Sequence, residues 1–471
     1  MNKPIHIPAL RFGQPYKSCD VLTTKGAEIS QVNAGLIRRD LLQIKKATTE
    51  LEAIPMPRLL EICKKAGELF QHGTVPVGLD NQPQSAEDYV RQASVSCGLP
   101  HAMVRNNMSK IALVMTDMKT ILKGLTRGLD LSVIDAGMGE QNGVPVSFYR
   151  TTDMLGVVLP SNSPGVNSLW IPSIALKVPV VLKPGRDDPW TPYRIAQSFI
   201  AAGCPRSAFS FLPTTHDGAH ALLALAGRSQ LFGDASITKR YAGNPNVELH
   251  GPGYSKVLIG DDMVKDWPKL IDVLVTSVAA NGGRSCVNAS AIVVPKFGKE
   301  IAAALAERLA KILPTAADDP KAGLSGFANP AVAESISETI DKDLATPGAE
   351  DVTARYRKGP RFVTHEGRTF LCPTVVHCDS FCHPLANREF LFPYCSVVEV
   401  PQADMLAQIG PSLVVSGITK DKAWTKQLLA SPLIHRLNLG AMATSHVHWD
   451  QPHEGNLFEC LYHRRAVQTA G

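Results

Sequence analysis

The sequence predicts an α/β fold in which mainly parallel sheets carry helices on both faces. Three observations lead there. The chain has 471 residues, room for two or three domains of about 100–200 residues each. From residue 153 onward, short apolar runs alternate with segments of helical period, the signature of a parallel sheet with crossover helices. The runs themselves, such as Pro179 to Leu182, are continuously apolar, as strands buried on both faces must be.

Residues 34 to 72 place Leu36, Leu41, Leu42 and Ile44, then Leu59, Leu60, Ile62 and Leu69, at helical spacing, with Pro55 and Pro57 dividing two segments. Residues 84 to 130 read as helix again through Tyr89, Met103, Ile111, Met115, Ile121 and Leu125. Between 131 and 152 the apolar residues Val133, Ile134, Val144, Val146 and Phe148 flank Gly-Glu-Gln-Asn-Gly, which predicts a β-hairpin. Strands follow at Leu155 to Leu159, Pro179 to Leu182, Phe209 to Leu212 and Gln230 to Gly233, separated by helices through Leu169 and Ala175, from Tyr193 to Ala202 and from Ala219 to Leu225. A second alternating set runs from near Lys256 to about 440.

Composition excludes several classes. With 48 basic and 43 acidic side chains the net charge is +5, too small to indicate nucleic acid or an anionic membrane as partner. No stretch approaches the roughly 18 apolar residues of a membrane helix, and the first residues lack the pattern of a secretory signal. Ten scattered cysteines form no CxxC pair, so neither a zinc ribbon nor a disulfide framework is expected. Reduced thiols in a cytoplasmic setting are the expectation.

The sharpest local feature is Asn281-Gly-Gly-Arg-Ser-Cys286-Val-Asn-Ala-Ser290, between a helix-like stretch ending at Ala280 and the apolar strand Ala291 to Val294. Two glycines let backbone approach a ligand closely, and Arg284 would place a cation near the thiol and favour its thiolate. A thiolate there could attack a carbonyl carbon. The competing reading is a buried structural cysteine.

Six segments in order resemble the aldehyde dehydrogenase superfamily: Leu155-Gly-Val-Val-Leu-Pro-Ser-Asn162-Ser-Pro, Val181-Leu-Lys183-Pro-Gly, Ala201-Ala-Gly-Cys-Pro205 with Phe209 to Pro213, Glu248-Leu-His-Gly-Pro-Gly253, the Cys286 segment, and Glu389-Phe-Leu-Phe-Pro393. The resemblance implies two Rossmann-like parallel-sheet domains plus a β-flap for oligomerisation. It places the dinucleotide-binding domain at 1–128 and 152–253, the catalytic domain at 254–456, and the flap at 129–151 and 457–471, pairing subunits into a homodimer or homotetramer. It implies Cys286 as nucleophile, and Asn162 with the Cys286 backbone amide as oxyanion donors. Glu248 would be the general base. Pro160, Lys183, Gly185, Arg186, Gly233 and Glu389 would contact NAD or NADP.

Several positions depart from the family pattern. Arg186 stands where NAD-preferring members often carry Glu, and a guanidinium pairs with a 2′-phosphate, which tilts the expectation toward NADP; Asp187 and Asp188 follow directly. In Phe232-Gly233-Asp234 an acid sits where phosphate would be met. A second alignment puts His250 nearer the base position, as in coenzyme A-acylating relatives. The expected substrate is therefore an aldehyde or, run in reverse, an acyl thioester reduced as in fatty-acyl-CoA reductases. A non-catalytic dinucleotide-binding scaffold is the reading of another class; Cys286, Asn162, Lys183 and Glu389 argue against it. His446, His448, His453 and Glu454 would share a face on a strand, but Pro452 interrupts them and no metal site is expected.

Overall fold

The computed structural model describes residues 4–468; the end of the 457–471 flap segment and the start of the 1–128 domain segment lie outside them. The described chain divides into two compact units. The first takes in residues up to Ser96, Val104–His250 and residues from His448; the second takes in Cys97–Met103 and Gly251–Val447.

In the first unit, β1 (Ala9–Arg11), β2 (Gln14–Tyr16), β3 (Leu155–Val158), β4 (Val180–Lys183), β5 (Phe209–Phe211), β6 (Arg228–Phe232) and β7 (Val247–His250) form one sheet in the order β7-β6-β3-β4-β5-β1-β2. The five strands from β7 to β5 are parallel, and β1 and β2 add antiparallel at the edge. The chain passes from β3 through β4 to β5 on one side, then returns to place β6 and β7 on the other. That reversal opens a crevice at the carboxyl ends of β3 and β6, where open α/β sheets bind ligands. Pro160 and Asn162 follow β3, and Gly233 follows β6. Close packing leaves no side-chain room at Gly156 of β3, where a Cβ would sit 3.0 Å from Ala226. Helices Ala34–Leu41, Ile44–Glu52 and His216–Leu225 bury Ile37, Leu41, Ala47 and Leu222 against Val158, Val181 and Leu231.

The second unit holds β8 (Ser255–Ile259), β9 (Ala289–Val294), β10 (Ala349–Asp351), β11 (Thr374–Cys378), β12 (Tyr394–Glu399), β13 (Ser412–Ile418) and β14 (Ile434–Leu439), ordered β10-β11-β12-β9-β8-β13-β14. Only β10 is antiparallel to its neighbour. Alternate residues show why the strands are apolar throughout. Val257, Ile292, Val294 and Val397 pack under helices Ile271–Ala279 and Gly298–Leu309. Leu258, Val293 and Val398 face Ala333, Ile340, Trp424 and Leu428 of helices on the opposite face. Each strand thus supplies both layers, with the period of two that the pleat imposes.

Within the first unit, Met138–Gln141 and Val144–Arg150 form a hairpin, and Tyr462–Arg465 joins it as a third strand. Asn142 and Gly143 both take positive φ at its tip, as a tight hairpin turn requires. Val133 and Ile134 are not part of it, contrary to the expectation above. They belong to the short helix Ser132–Ala136, which Gly137 ends in a left-handed conformation. His446 and His448 lie in an irregular loop rather than on a strand, so the alternation invoked for them does not exist. Among the described residues no helix is long and apolar enough to cross a membrane.

Candidate active site

In the second unit, the chain leaves helix Ile271–Ala279 and enters three consecutive left-handed residues, Asn281, Gly282 and Gly283. Packing demands both glycines. A Cβ on Gly282 would lie 2.4 Å from Ser325 Oγ, and one on Gly283 would lie 2.3 Å from the carbonyl carbon of Phe392. The cysteine loop therefore rests directly on the Glu389-Phe-Leu-Phe-Pro393 segment. Asn288 ties the far end of the loop: its Oδ1 accepts from Ser285 N at 2.9 Å, and its Nδ2 donates to the carbonyls of Ser277 and Ala280.

Cys286 is half-buried, whereas Cys63, Cys97, Cys204, Cys372, Cys378 and Cys395 are buried. Burial pushes the thiols of Cys63 and Cys378 up to about 12, far from the thiolate range. The carbonyl of Cys286 accepts from Ser255 Oγ at 2.8 Å. Gly253 lies so close that a Cβ there would meet the same oxygen at 2.1 Å. The Arg284 guanidinium is buried, donates to Gly326 O at 2.5 Å and lies 5.0 Å over the Phe327 ring. Those contacts make it an anchor of the loop.

Glu389 Oε2 accepts from the backbone N of Tyr254 at 2.6 Å, and Tyr254 is itself left-handed. Lys256, fully buried in β8, donates to Tyr254 O at 2.6 Å and to Ser412 Oγ at 3.1 Å. Burial drives its ammonium down to about 7, although Glu389 pulls the other way. Neither Ser255 nor Lys256 carries a sequence signal of this role, since both read as ordinary strand residues.

In the first unit, Gly185 packs on the backbone of Pro160, where a Cβ would come within 2.2 Å of the carbonyl oxygen. Asp187 N donates to Ser161 Oγ, joining the loops after β3 and β4. Asn162 sits half-buried just before the 3₁₀ helix Pro164–Leu169. Lys183 closes β4, and burial lowers its ammonium from the usual lysine range. Arg186 is exposed, while Asp188 is buried and accepts from Thr191 Oγ1 at 2.7 Å. Burial raises the Asp188 carboxyl to about 6, against the hydrogen bonds from Thr191. One of the two acids beside Arg186 is thus turned inward. After β6, Asp234 caps helix Ala235–Tyr241 and accepts from the amides of Ser236 and Ile237.

Glu248, on β7, accepts from His250 Nε2 at 2.9 Å and from Gln230 Nε2 at 3.1 Å. His250 is buried, stacked on Phe232 at 4.3 Å, and joined through Nδ1 to Glu454 at 2.5 Å. A small, partly open pocket is lined by Glu248, Gln230, Leu169, Trp449, His453 and Gly455 among others, but not by His250. Glu454, flagged in sequence only within the histidine cluster, is a partner of His250. Among the described residues no group of three or more His, Cys, Asp or Glu side chains could hold a metal.

The residues suit a dinucleotide in part. Lys183 and Arg186 bring cations, and Pro160 and Gly233 border the crevice. The amides at the start of helix Ala235–Tyr241, by contrast, are already used by Asp234.

Comparison with known proteins agrees with these features. The family model described as "Aldehyde dehydrogenase family" matches residues 83–409. An indole-3-acetaldehyde dehydrogenase from P. syringae, solved with NAD+ and IAA, shares the fold with a TM-score of 0.80 and 16% identity, covering 99% of this chain and 97% of that one. An NAD-dependent aldehyde dehydrogenase from Sinorhizobium meliloti gives a TM-score of 0.79 at 16% identity, with 99% and 95% covered. A 3,6-anhydro-L-galactose dehydrogenase in complex with NAP gives 0.78 at 13% identity, with 98% and 99% covered. The family match spans well over half of the chain and includes the Cys286 loop, β3, β4, β7 and Glu389. The chain belongs to the aldehyde dehydrogenase family and is an oxidoreductase acting on the aldehyde or oxo group of its donors.

Proposed function

We propose that the protein oxidises an aldehyde to its acid through a covalent intermediate on Cys286. The observation that carries this reading is Cys286 itself. It is a half-buried thiol in a loop pinned by Asn288 and Ser255, in a chain whose other loop and strand thiols are mostly sealed in the core. The Cys286 thiolate attacks the carbonyl carbon, forming a C–S bond and an oxyanion. The Asn162 side-chain amide and the Cys286 backbone N–H donate to that oxygen. A nicotinamide dinucleotide held by Lys183, Gly185, Arg186 and Glu389 would supply the hydride acceptor that this oxidation needs. Glu248 then accepts a proton from water as its oxygen bonds to the thioester carbon; the C–S bond breaks, and acid and thiolate are released.

Glu248 is preferred over His250 as the base because its carboxylate lines the pocket while the imidazole is packed behind it. Lys183, Gly185, Arg186, Pro160 and Gly233 are assigned to the dinucleotide and Glu389 to its nicotinamide ribose, with the exposed Arg186 favouring NADP. Ten free cysteines suit a reducing, cytoplasmic setting. The exposed Met138, Val144 and Tyr149 of the hairpin sheet are assigned to a subunit contact, so sedimentation at micromolar concentration should give a dimer or larger.

The deciding assay follows nicotinamide absorbance with aldehydes and with acyl-CoAs, using NAD and NADP. Acid formed without coenzyme A, and lost in Cys286→Ala while dinucleotide binding persists, is the expected result. Reduced-cofactor oxidation that requires acyl-CoA would instead establish the reductase reading, and a Cys286→Ala protein as active as the parent would end both.

A further inference from the structure

The carboxylate assigned as base does not stand alone. Glu248 on β7, His250 two residues on and Glu454 in the loop before helix Leu457–Leu461 form a continuous chain. Glu248 Oε1 takes hydrogen bonds from His250 Nε2 at 2.9 Å and Gln230 Nε2 at 3.1 Å, and His250 Nδ1 meets Glu454 Oε2 at 2.5 Å. The imidazole cannot turn away, because its face lies on Phe232 at an interplanar angle of 13°. The second oxygen of Glu248 points to Gly455, where a Cβ would approach it to 2.5 Å. Oε1 is thus occupied, and Oε2 lies where the chain has given up a side chain to make room.

From this arrangement we infer that Glu454 is a positioning residue for the catalytic base: through His250 it supplies the buried counter-charge that allows Glu248 to take up a proton. This rests on the reading of Glu248 as the base. The charge balance gives the reason. An imidazolium between two carboxylates carries a net charge of −1, and protonation of Glu248 leaves the neutral pair His250–Glu454. Without Glu454, the same protonation would strand an unpaired imidazolium in the core, and an uncompensated buried charge is costly. Glu454 therefore leaves the imidazolium paired once the proton has moved to Glu248.

Other groups packed around the imidazole do not supply that charge. Phe232 and Gln230 of β6 are neutral. The Cys460 thiol of helix Leu457–Leu461 is pushed up to about 12, by burial first and by Glu248 second, so it stays protonated. Arg228 spends its guanidinium on Cys460 O at 2.8 Å and on Asn246, and His453 faces the pocket. Burial alone would depress His250, but the field of Glu454 and the hydrogen bonds the ring donates to both acids outweigh it and hold the ring at about 10.

The test separates acylation from deacylation in the full-length enzyme. A burst of reduced nicotinamide reports thioester formation, and the following steady state reports its hydrolysis. Glu454→Gln should leave the burst rate unchanged, slow hydrolysis about tenfold, and move the acid limb of its pH profile down by about one unit or more. Glu454→Asp should restore the limb. His250→Asn, which removes the cation instead, should move the limb upward. An acid limb at the same pH in Glu454→Gln and the parent overturns the inference.

Nitrogen-15 shifts of the His250 ring, assigned by comparison with His250→Asn, give a readout independent of turnover. They should show imidazolium in the parent through pH 8, and a neutral ring there also overturns the inference. A parent enzyme that forms no acid from any aldehyde would mark failure of the functional reading rather than of the pairing.

Discussion

Ser255 Oγ donates to the carbonyl of Cys286 at 2.8 Å and also accepts from Val414 N at 3.2 Å. One hydroxyl at the start of β8 therefore fixes the backbone of Cys286 to the central sheet. In Ser255→Ala both bonds vanish. We expect a loss of about 1–2 kcal/mol in unfolding free energy and about a tenfold fall in turnover from a less well placed thiol. Urea unfolding together with kcat and dinucleotide Kd checks this. A variant with full kcat would show that the anchor is dispensable.

Arg186 is exposed beside a buried Asp188, and its guanidinium is proposed to pair with a 2′-phosphate. Arg186→Ala should lower kcat/KM with NADP by about tenfold or more and change that with NAD little. Equal losses with both cofactors would argue against the assignment.

Gly283 has φ +69 and no space beyond its Cα, with Phe392 and Pro393 backbone within 2.4 Å of a built Cβ. Gly283→Ala combines left-handed strain with a backbone clash. It should destabilise by about 2–4 kcal/mol or displace the loop, abolishing acylation. Thermal melting and the nicotinamide burst report the two outcomes, and a variant normal in both would contradict the packing.

Lys256 predicts a pH effect of defined sign. Its folded ammonium titrates near 7, below the usual 10.5, because burial outweighs the pull of Glu389. Between those values the unfolded chain binds the extra proton and the folded one does not. Stability therefore rises with pH across that window, and the burial penalty is felt in full below about 7. In Lys256→Met this rise should disappear, as read from urea midpoints between pH 6 and 10. A parent whose midpoint does not rise relative to the variant would refute the assignment.

Much of the fold was legible because its determinants are local. Continuous apolar runs such as Val180–Leu182 and Ala291 to Val294 announce strands buried on both sides, and those strands form the centres of the two sheets. Val133 and Ile134 went astray because a β-branched pair looks the same beside a hairpin as inside one short helix. The candidate site was legible only where a motif is contiguous, as at 281–286. Ser255 and Cys286 lie 31 residues apart, and His250 and Glu454 lie 204 apart. Pairings of that separation leave no periodicity to read. Glu454 consequently looked like part of a histidine cluster.

Asp234 gives the turn after β6 a property of its own. Its carboxylate is a tethered anion, bonded to two amides and held below the usual carboxylate range by Ser236 and Ile237. Dilution cannot remove it, and helix Ala235–Tyr241 keeps its first turn satisfied with no ligand at hand. The two amides that this carboxylate holds are therefore closed to a second anion for as long as the cap stays in place.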